Sequence, residues 1–165
     1  MGMYTELVLG VALHDHTPKD VINTIKYMIS FDGNESTVDT PKHPLFSTYR
    51  WDNMLVGDSC YFDGDTNTTF VHDNICSKWT LTVRSNFKNY NSEIELFLNW
   101  IKPYLETNGF LGYMRYEEYE DPTLIYHDPY EDSIKLVGLT TLSNGSVESK
   151  TIILDEEYLK KYCIR

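Results

Sequence analysis

The chain predicts an α+β fold: a ferredoxin-like antiparallel sheet with two helices on one face, extended by a C-terminal β-hairpin. Three observations point there. In Trp79–Glu106, Trp79, Leu81 and Val83 alternate with Thr80, Thr82 and Arg84, the period of a half-buried strand. Ile94, Phe97, Leu98, Ile101 and Leu105 then recur at spacings of three and four, which gathers them on one helical face. The pattern repeats near the N-terminus, with Leu7, Leu9, Val11 and Leu13 on one side of a strand and Ile22, Ile25, Met28 and Ile29 along a helix. With one strand between the two units and another after the second, the order is strand–helix–strand–strand–helix–strand.

The elements follow in chain order. Thr17 is placed to cap the first helix, Pro18 suits its first position, and Asp20 suits the positive end of its dipole. Gly33 is the expected left-handed stop. Residues 34–58 read as a long irregular connection, of a length that is often functional or mobile. Within it Arg50 and Trp51 form either a hot spot for a partner or a flat ligand or, the more usual role of such a Trp, an anchor onto the core. Asp73-Asn74 marks a turn pairing 68–72 with 76–85. Ser92 and Glu95 have the spacing of a capping box, and Pro103 predicts a kink or restart in the second helix. Residues 109–120 and 122–128 read as strands, Asn144-Gly145 as a type I′ hairpin turn, and 155–162 as a closing helical turn. Residues 1–165 are read as one domain, with a core over about 4–120 and an extension over about 121–165.

Composition narrows the function. The chain has 165 residues, 41% hydrophobic and 14% aromatic, enough for one packed core and unlike a disordered segment. A formal net charge of −11 opposes direct binding to nucleic-acid phosphates and favours basic surfaces. No apolar run approaches a membrane span, and MGMYTEL lacks the features of a signal peptide, so a cytoplasmic protein without membrane contact is expected. Cys60, Cys76 and Cys163 lack metal-ligand spacing and read as reduced thiols, with a Cys60–Cys76 disulfide the less favoured alternative.

Catalytic signatures are missing: there is no phosphate-binding glycine loop, no G-x-S-x-G and no H-E-x-x-H. Asp63, Asp65 and Asn67 lack the rest of a calcium loop. His14, Asp15 and His16 offer a small metal-dependent hydrolase as an alternative, but no metal or cofactor is expected. Two surfaces stand out instead. Glu117, Glu118, Glu120 and Asp121 lie among tyrosines, a pattern that suits imitation of nucleic-acid phosphates or a basic groove on another protein or, more plainly, an edge defended by charge. Strand parity sends Thr80, Thr82 and Arg84 to the face opposite the helices, along with Glu6, Val8 and Gly10. Tyr113 and Arg115 share one side of their strand, and if that side is the outer one, two arginines and a tyrosine meet there. Arginine forks bind phosphates and a tyrosine stacks on bases; pairing of both arginines with Glu6 and Glu117 is the plainer outcome.

The opening MGMYTEL with the strand and helix that follow it, and the later WTLTVRSNFKNYNSEIELFLNWIKPYL, resemble small accessory proteins encoded by phages and prophages of Gram-positive bacteria, the resemblance resting on roughly residues 4–30 and 79–106. That resemblance implies a cytosolic protein of the infected host cell. It leads to the functional expectation: a non-enzymatic protein that antagonises a bacterial defence system, in the manner of an anti-CRISPR or another anti-defence inhibitor. Its partner is expected to be a host defence protein or nucleoprotein complex. The alternative is a sponge for a nucleotide immune signal.

Overall fold

Alternating apolar residues become the strands of one broad sheet. A computed structural model describes residues 3–30 and 38–164; the expected stop at Gly33 lies outside them. The strands are β1 (Thr5–His14), β2 (Asn67–Asp73), β3 (Lys78–Phe87), β4 (Gly109–Tyr116), β5 (Thr123–Asp128), β6 (Ser133–Thr141) and β7 (Val147–Ile153). They form a seven-stranded sheet in the order β2-β3-β1-β4-β5-β6-β7, with every neighbouring pair antiparallel. The helices are α1 (Lys19–Ile29), α2 (Glu93–Ile101) and the single turn α3 (Glu156–Tyr158), which runs into a π-helical turn at Leu159–Cys163. The fold is therefore α+β, with a larger sheet than a two-helix, four-strand unit requires. The tail contributes three strands to that sheet.

One hydrophobic cluster holds the molecule together. It joins Leu7, Leu9, Val11 and Leu13 of β1 and Leu81 and Val83 of β3 to Val21, Ile25 and Met28 of α1 and Ile94, Phe97, Leu98 and Ile101 of α2. Each such aliphatic or aromatic side chain contributes about 1.5–3 kcal/mol on burial. The side of the sheet carrying these residues is the core face; the alternate residues form the outer face. Ile125 of β5 and Ile134 and Leu136 of β6 extend the same cluster, and Leu154, Leu159 and Cys163 close it beside α2.

From residue 38 onward the long irregular connection is packed against this core. Pro44–Ser47 forms a 3-10 turn, and Leu45, Met54 and Leu55 are fully buried. Trp51 meets Phe46 edge-on at 5.0 Å and stacks on Tyr27 at 5.8 Å, so it anchors the loop. Ser85 Oγ donates to Met54 O at 2.7 Å and Asn86 N to Gly57 O at 2.9 Å, fastening the connection to β3.

Local details depart from the expected capping and turn chemistry. Ser92 sits at φ 57°, in the left-handed region, and its side chain makes no capping bond. An N-cap needs an extended backbone to aim its oxygen at the helix amides. Asn89 does that work instead: its Oδ1 accepts from Ile94 N at 3.0 Å and its Nδ2 donates to Glu95 Oε2 at 2.9 Å. Thr17 Oγ1 turns back to donate to His14 O, and Pro18 occupies the cap position of α1. The β6–β7 turn is closed by Gly145 N on Leu142 O at 2.9 Å, with Gly145 at φ 82°. Asn144 is not among the positive-φ residues, so the turn is not type I′ but a longer loop ending in a glycine bulge. Helix α2 gives way to a 3-10 turn at Lys102–Tyr104, where Pro103 removes a donor.

Candidate functional site

The outer face is where the predicted arginines meet. Across β1, Val8 is paired with Arg84 on one side and Tyr113 on the other, and Glu6 is paired with Asn86 and Arg115. Directly opposed residues point the same way, so Arg84, Arg115 and Tyr113 all project from the outer face around Glu6 and Val8. Glu6 is only 1% exposed. Its Oε2 accepts from Arg115 Nη2 at 3.1 Å, and its Oε1 lies 3.6 Å from Arg84 Nη2. A single carboxylate thus serves both guanidinium groups, and the three carry one net positive charge.

A loop roofs this triad. Arg84 Nη2 donates to Asp63 O at 2.7 Å. A side chain at Gly64 would put its Cβ 2.8 Å from the same nitrogen, so the absent side chain is what lets the guanidinium lie against the loop. The Arg115 guanidinium sits 5.3 Å from the centre of the Phe62 ring, a cation–π contact, and Tyr61 stacks on Tyr4 at 4.9 Å. Arg115 Nε is buried without a hydrogen-bond partner, and so is Glu117 Oε2. The expected pairing with Glu117 is corrected here. Glu6 lies directly opposite Arg115 in the β1–β4 register, and among the described residues no ion pair reaches Glu117.

Beyond the roof the face opens into a depression of about 820 Å³. Val8 and Gly10 lie along it, flanked by Thr82 and Arg84 on one side and Phe110 and Tyr113 on the other. Nothing stands within 4 Å of where a Gly10 side chain would begin, so the backbone there is bare. The Phe110 wall comes from a bulge in β4: the register shifts between Phe110 and Gly112 and leaves Leu111 as the extra residue. Leu111 is buried in the core while Phe110 is 55% exposed and meets Tyr126 of β5 edge-on at 5.6 Å. Gly112 makes the bulge possible, because a Cβ there would lie 2.0 Å from Val8 O at a φ of 153°.

The other singled-out residues lie elsewhere. Arg50 stacks over Tyr49 and Tyr90 at 5.1 and 5.2 Å, beside the anchoring Trp51. Glu118 and Glu120 are exposed at the β4–β5 connection with Tyr119, whereas Asp121 accepts from Thr141 N and Thr141 Oγ1 and ties that connection to β6. The histidines are held in separate contacts. His14 stacks on His16 at 5.0 Å, and Asp15 is bound to His72 Nε2 at 2.7 Å, which raises the His72 pKa. Among the described residues no three His, Cys, Asp or Glu side chains converge in a way that could hold a metal ion. All three cysteines are free thiols.

A second concavity, of about 500 Å³, escaped the sequence reading because its residues are far apart in the chain; Lys42, His43, Asn91, Ser92 and Cys163 are among those lining it. His43 Nδ1 accepts from Leu45 N at 3.2 Å, so Nε2 bears the proton and donates to Asn99 Oδ1 at 3.0 Å. Burial lowers its pKa, and burial raises that of the Cys163 thiol. Both shifts favour the uncharged forms of these groups, and both His43 nitrogens are already engaged in hydrogen bonds.

No helix among the described residues is long and apolar enough to cross a membrane. Compared with protein-family models, curated proteins and solved structures, the chain gives no match.

Proposed function

We propose that the chain is a binding protein rather than an enzyme, of the kind phages make to antagonise bacterial defence, and that its target in the bacterial cytosol is a host protein or nucleoprotein complex. One observation carries this reading: the outer face presents Val8, Phe110, Tyr113, Leu124, Tyr126 and Val137 in adjacent registers across β1, β4, β5 and β6. An aromatic and aliphatic centre with charged groups at its margin has the composition of a protein interface core and rim. The overall charge of −11 and the exposed Glu118 and Glu120 suit a basic partner, in keeping with the resemblance to phage accessory proteins. A ferredoxin-like unit made of β1–α1–β2–β3–α2–β4 belongs to the same proposal. The strand order β4-β1-β3-β2 and the cluster uniting α1 with α2 support it.

A second reading, capture of a nucleotide immune signal, is favoured by Arg84 and Tyr113 lining an open, glycine-floored depression, with Arg115 on the same face of the sheet. One experiment addresses both. The purified chain is used as bait in bacterial lysate, and captured proteins and small molecules are identified by mass spectrometry. The protein reading expects a defence protein that is lost with Phe110→Asp but kept with Asp at Ile75, an exposed residue on the β2–β3 turn. A nucleotide whose retention depends on Arg115 would favour the second reading, and turnover of nucleotides or nucleic acids by the pure protein would overturn both.

A further inference from the structure

The edge of the sheet at β7 is built to pair with itself. We infer that two copies of the chain associate through antiparallel β7–β7 pairing, on a two-fold axis at Ser149. This is independent of the proposed target.

The first ground is the direction of free hydrogen bonds. Leu142 N donates to Ser146 O at 2.8 Å and Leu154 N to Ile134 O at 2.9 Å, at the two ends of the β6–β7 ladder. Between them the register runs without a shift from Thr141 opposite Val147 to Lys135 opposite Ile153. In an antiparallel ladder hydrogen-bonded and non-bonded pairs alternate. The even residues of β7 therefore face β6, and the peptide groups of Val147, Ser149, Thr151 and Ile153 point away from the sheet. β7 is the last strand in the order, and six of its seven residues are exposed. It contains no proline and no bulge, two common protections of an edge. The opposite edge differs in its side chains: Thr68 Oγ1 of β2 donates to Leu55 O, and the His72 ring is tied to Asp15.

The second ground is charge. With the axis at Ser149, its outward peptide group bonds the same group of the second copy, and Val147 stands opposite Thr151. Glu148 then falls opposite Lys150 of the second copy, twice by symmetry, in the non-bonded positions where side chains approach closest. The neighbouring registers lose this match. An axis at Lys150 sets the two lysines against each other, an axis at Glu148 sets the two glutamates together, and an axis at Thr151 leaves Lys150 opposite Ile152. The sequence of β7 thus selects one register among those its hydrogen bonds permit, and a two-fold axis closes the assembly at two copies. Opposed residues share a face, so the two outer faces continue on one side of the joined sheet. A partner that met one face would meet two.

Sedimentation equilibrium of the full chain, followed to roughly 100 µM, tests this at the scale expected for a short strand-pairing interface. A dimer that dissociates on dilution is expected. Lys150→Glu turns both attractive contacts into repulsive ones and should weaken association about tenfold or more. Glu148→Lys should do the same, and the combined exchange E148K with K150E should restore the dimer. Ser149→Pro removes an amide that points to solvent in the monomer, so the variant should keep the circular dichroism of the parent and sediment as a monomer. A parent chain that stays monomeric throughout overturns the inference. So does a dimer indifferent to K150E and S149P, or a double exchange that fails to recover association while its fold is intact.

Discussion

On the core face of β1, Leu7, Leu9, Val11 and Leu13 are packed into one cluster with side chains of α1 and α2; one residue along in each case, the outer face carries Glu6, Val8, Gly10 and Ala12. The backbone is shared, so the contrast comes from the side chains and from what covers them. The core face is uniform and closed, and its stability rests on apolar burial and packing density. The outer face is divided. At the Glu6 end a loop covers a carboxylate and two guanidinium groups, while at the Gly10 end the backbone is bare. A closed face resists change everywhere, whereas an open one resists it only where its few polar groups depend on each other.

The contrast can be broken most forcefully at Phe97, the largest of the fully buried side chains. Phe97→Ala should cost about 3–5 kcal/mol in urea unfolding. A loss below about 2 kcal/mol would mean the core face is loosely packed and the comparison misplaced. Gly112 tests where the faces interlock. Gly112→Ala forces a Cβ against Val8 O at a φ that side chains rarely adopt, and should cost roughly 2–3 kcal/mol. An unchanged midpoint would show that the β4 bulge relaxes freely.

Smaller effects sharpen the division of the outer face. Glu6→Gln leaves two partly exposed guanidinium groups without their shared carboxylate. Discounting for solvent screening, the loss should be about 1–2 kcal/mol and should shrink in high salt. Gly10→Ala at the bare end should stabilise by about 0.4–1 kcal/mol, because only the unfolded chain loses freedom. Two glycines on neighbouring strands are thus expected to respond with opposite signs.

The smallest expected effect is at the sheet margin. The hydrogen bond that His72 Nε2 donates to Asp15, and next that with Asn74, lifts the His72 pKa above its ordinary value of 6.5. A histidine that gains a partner on folding contributes stability that is whole below pH 6.5 and is lost as pH rises through the higher folded value. In an NMR titration Asp15→Asn should bring the His72 midpoint down, and an unmoved midpoint would remove Asp15 as the cause.

Much of the core face was legible because its signals are local. Alternation in Leu7–Leu13 and Trp79–Val83, and the three-four spacing through Ile94–Ile101, are satisfied by any fold that buries one side of these elements. The kink at Pro103 was legible for the same reason, since it follows from a missing donor on one residue. The role of Ser92 was not: its spacing to Glu95 suits a capping box, but the approach of the chain into α2 turned it left-handed and left the work to Asn89. Trp51 could be read either as an anchor or as an exposed contact until Phe46 and Tyr27 were seen against it.

The outer face divides along the same line. Arg84 shares a side with Thr80 and Thr82, and Arg115 with Tyr113, as a matter of residue order alone, because side-chain direction in a strand depends only on parity. That both arginines converge on Glu6, which is separated from Arg115 by 109 positions, was decided by the pairing of β1 with β3 and β4. The Phe62 roof, the Gly64 contact and the outward Phe110 were decided in the same way. Register and loop placement are set by the packing of residues distant in the chain, and no local period carries that information.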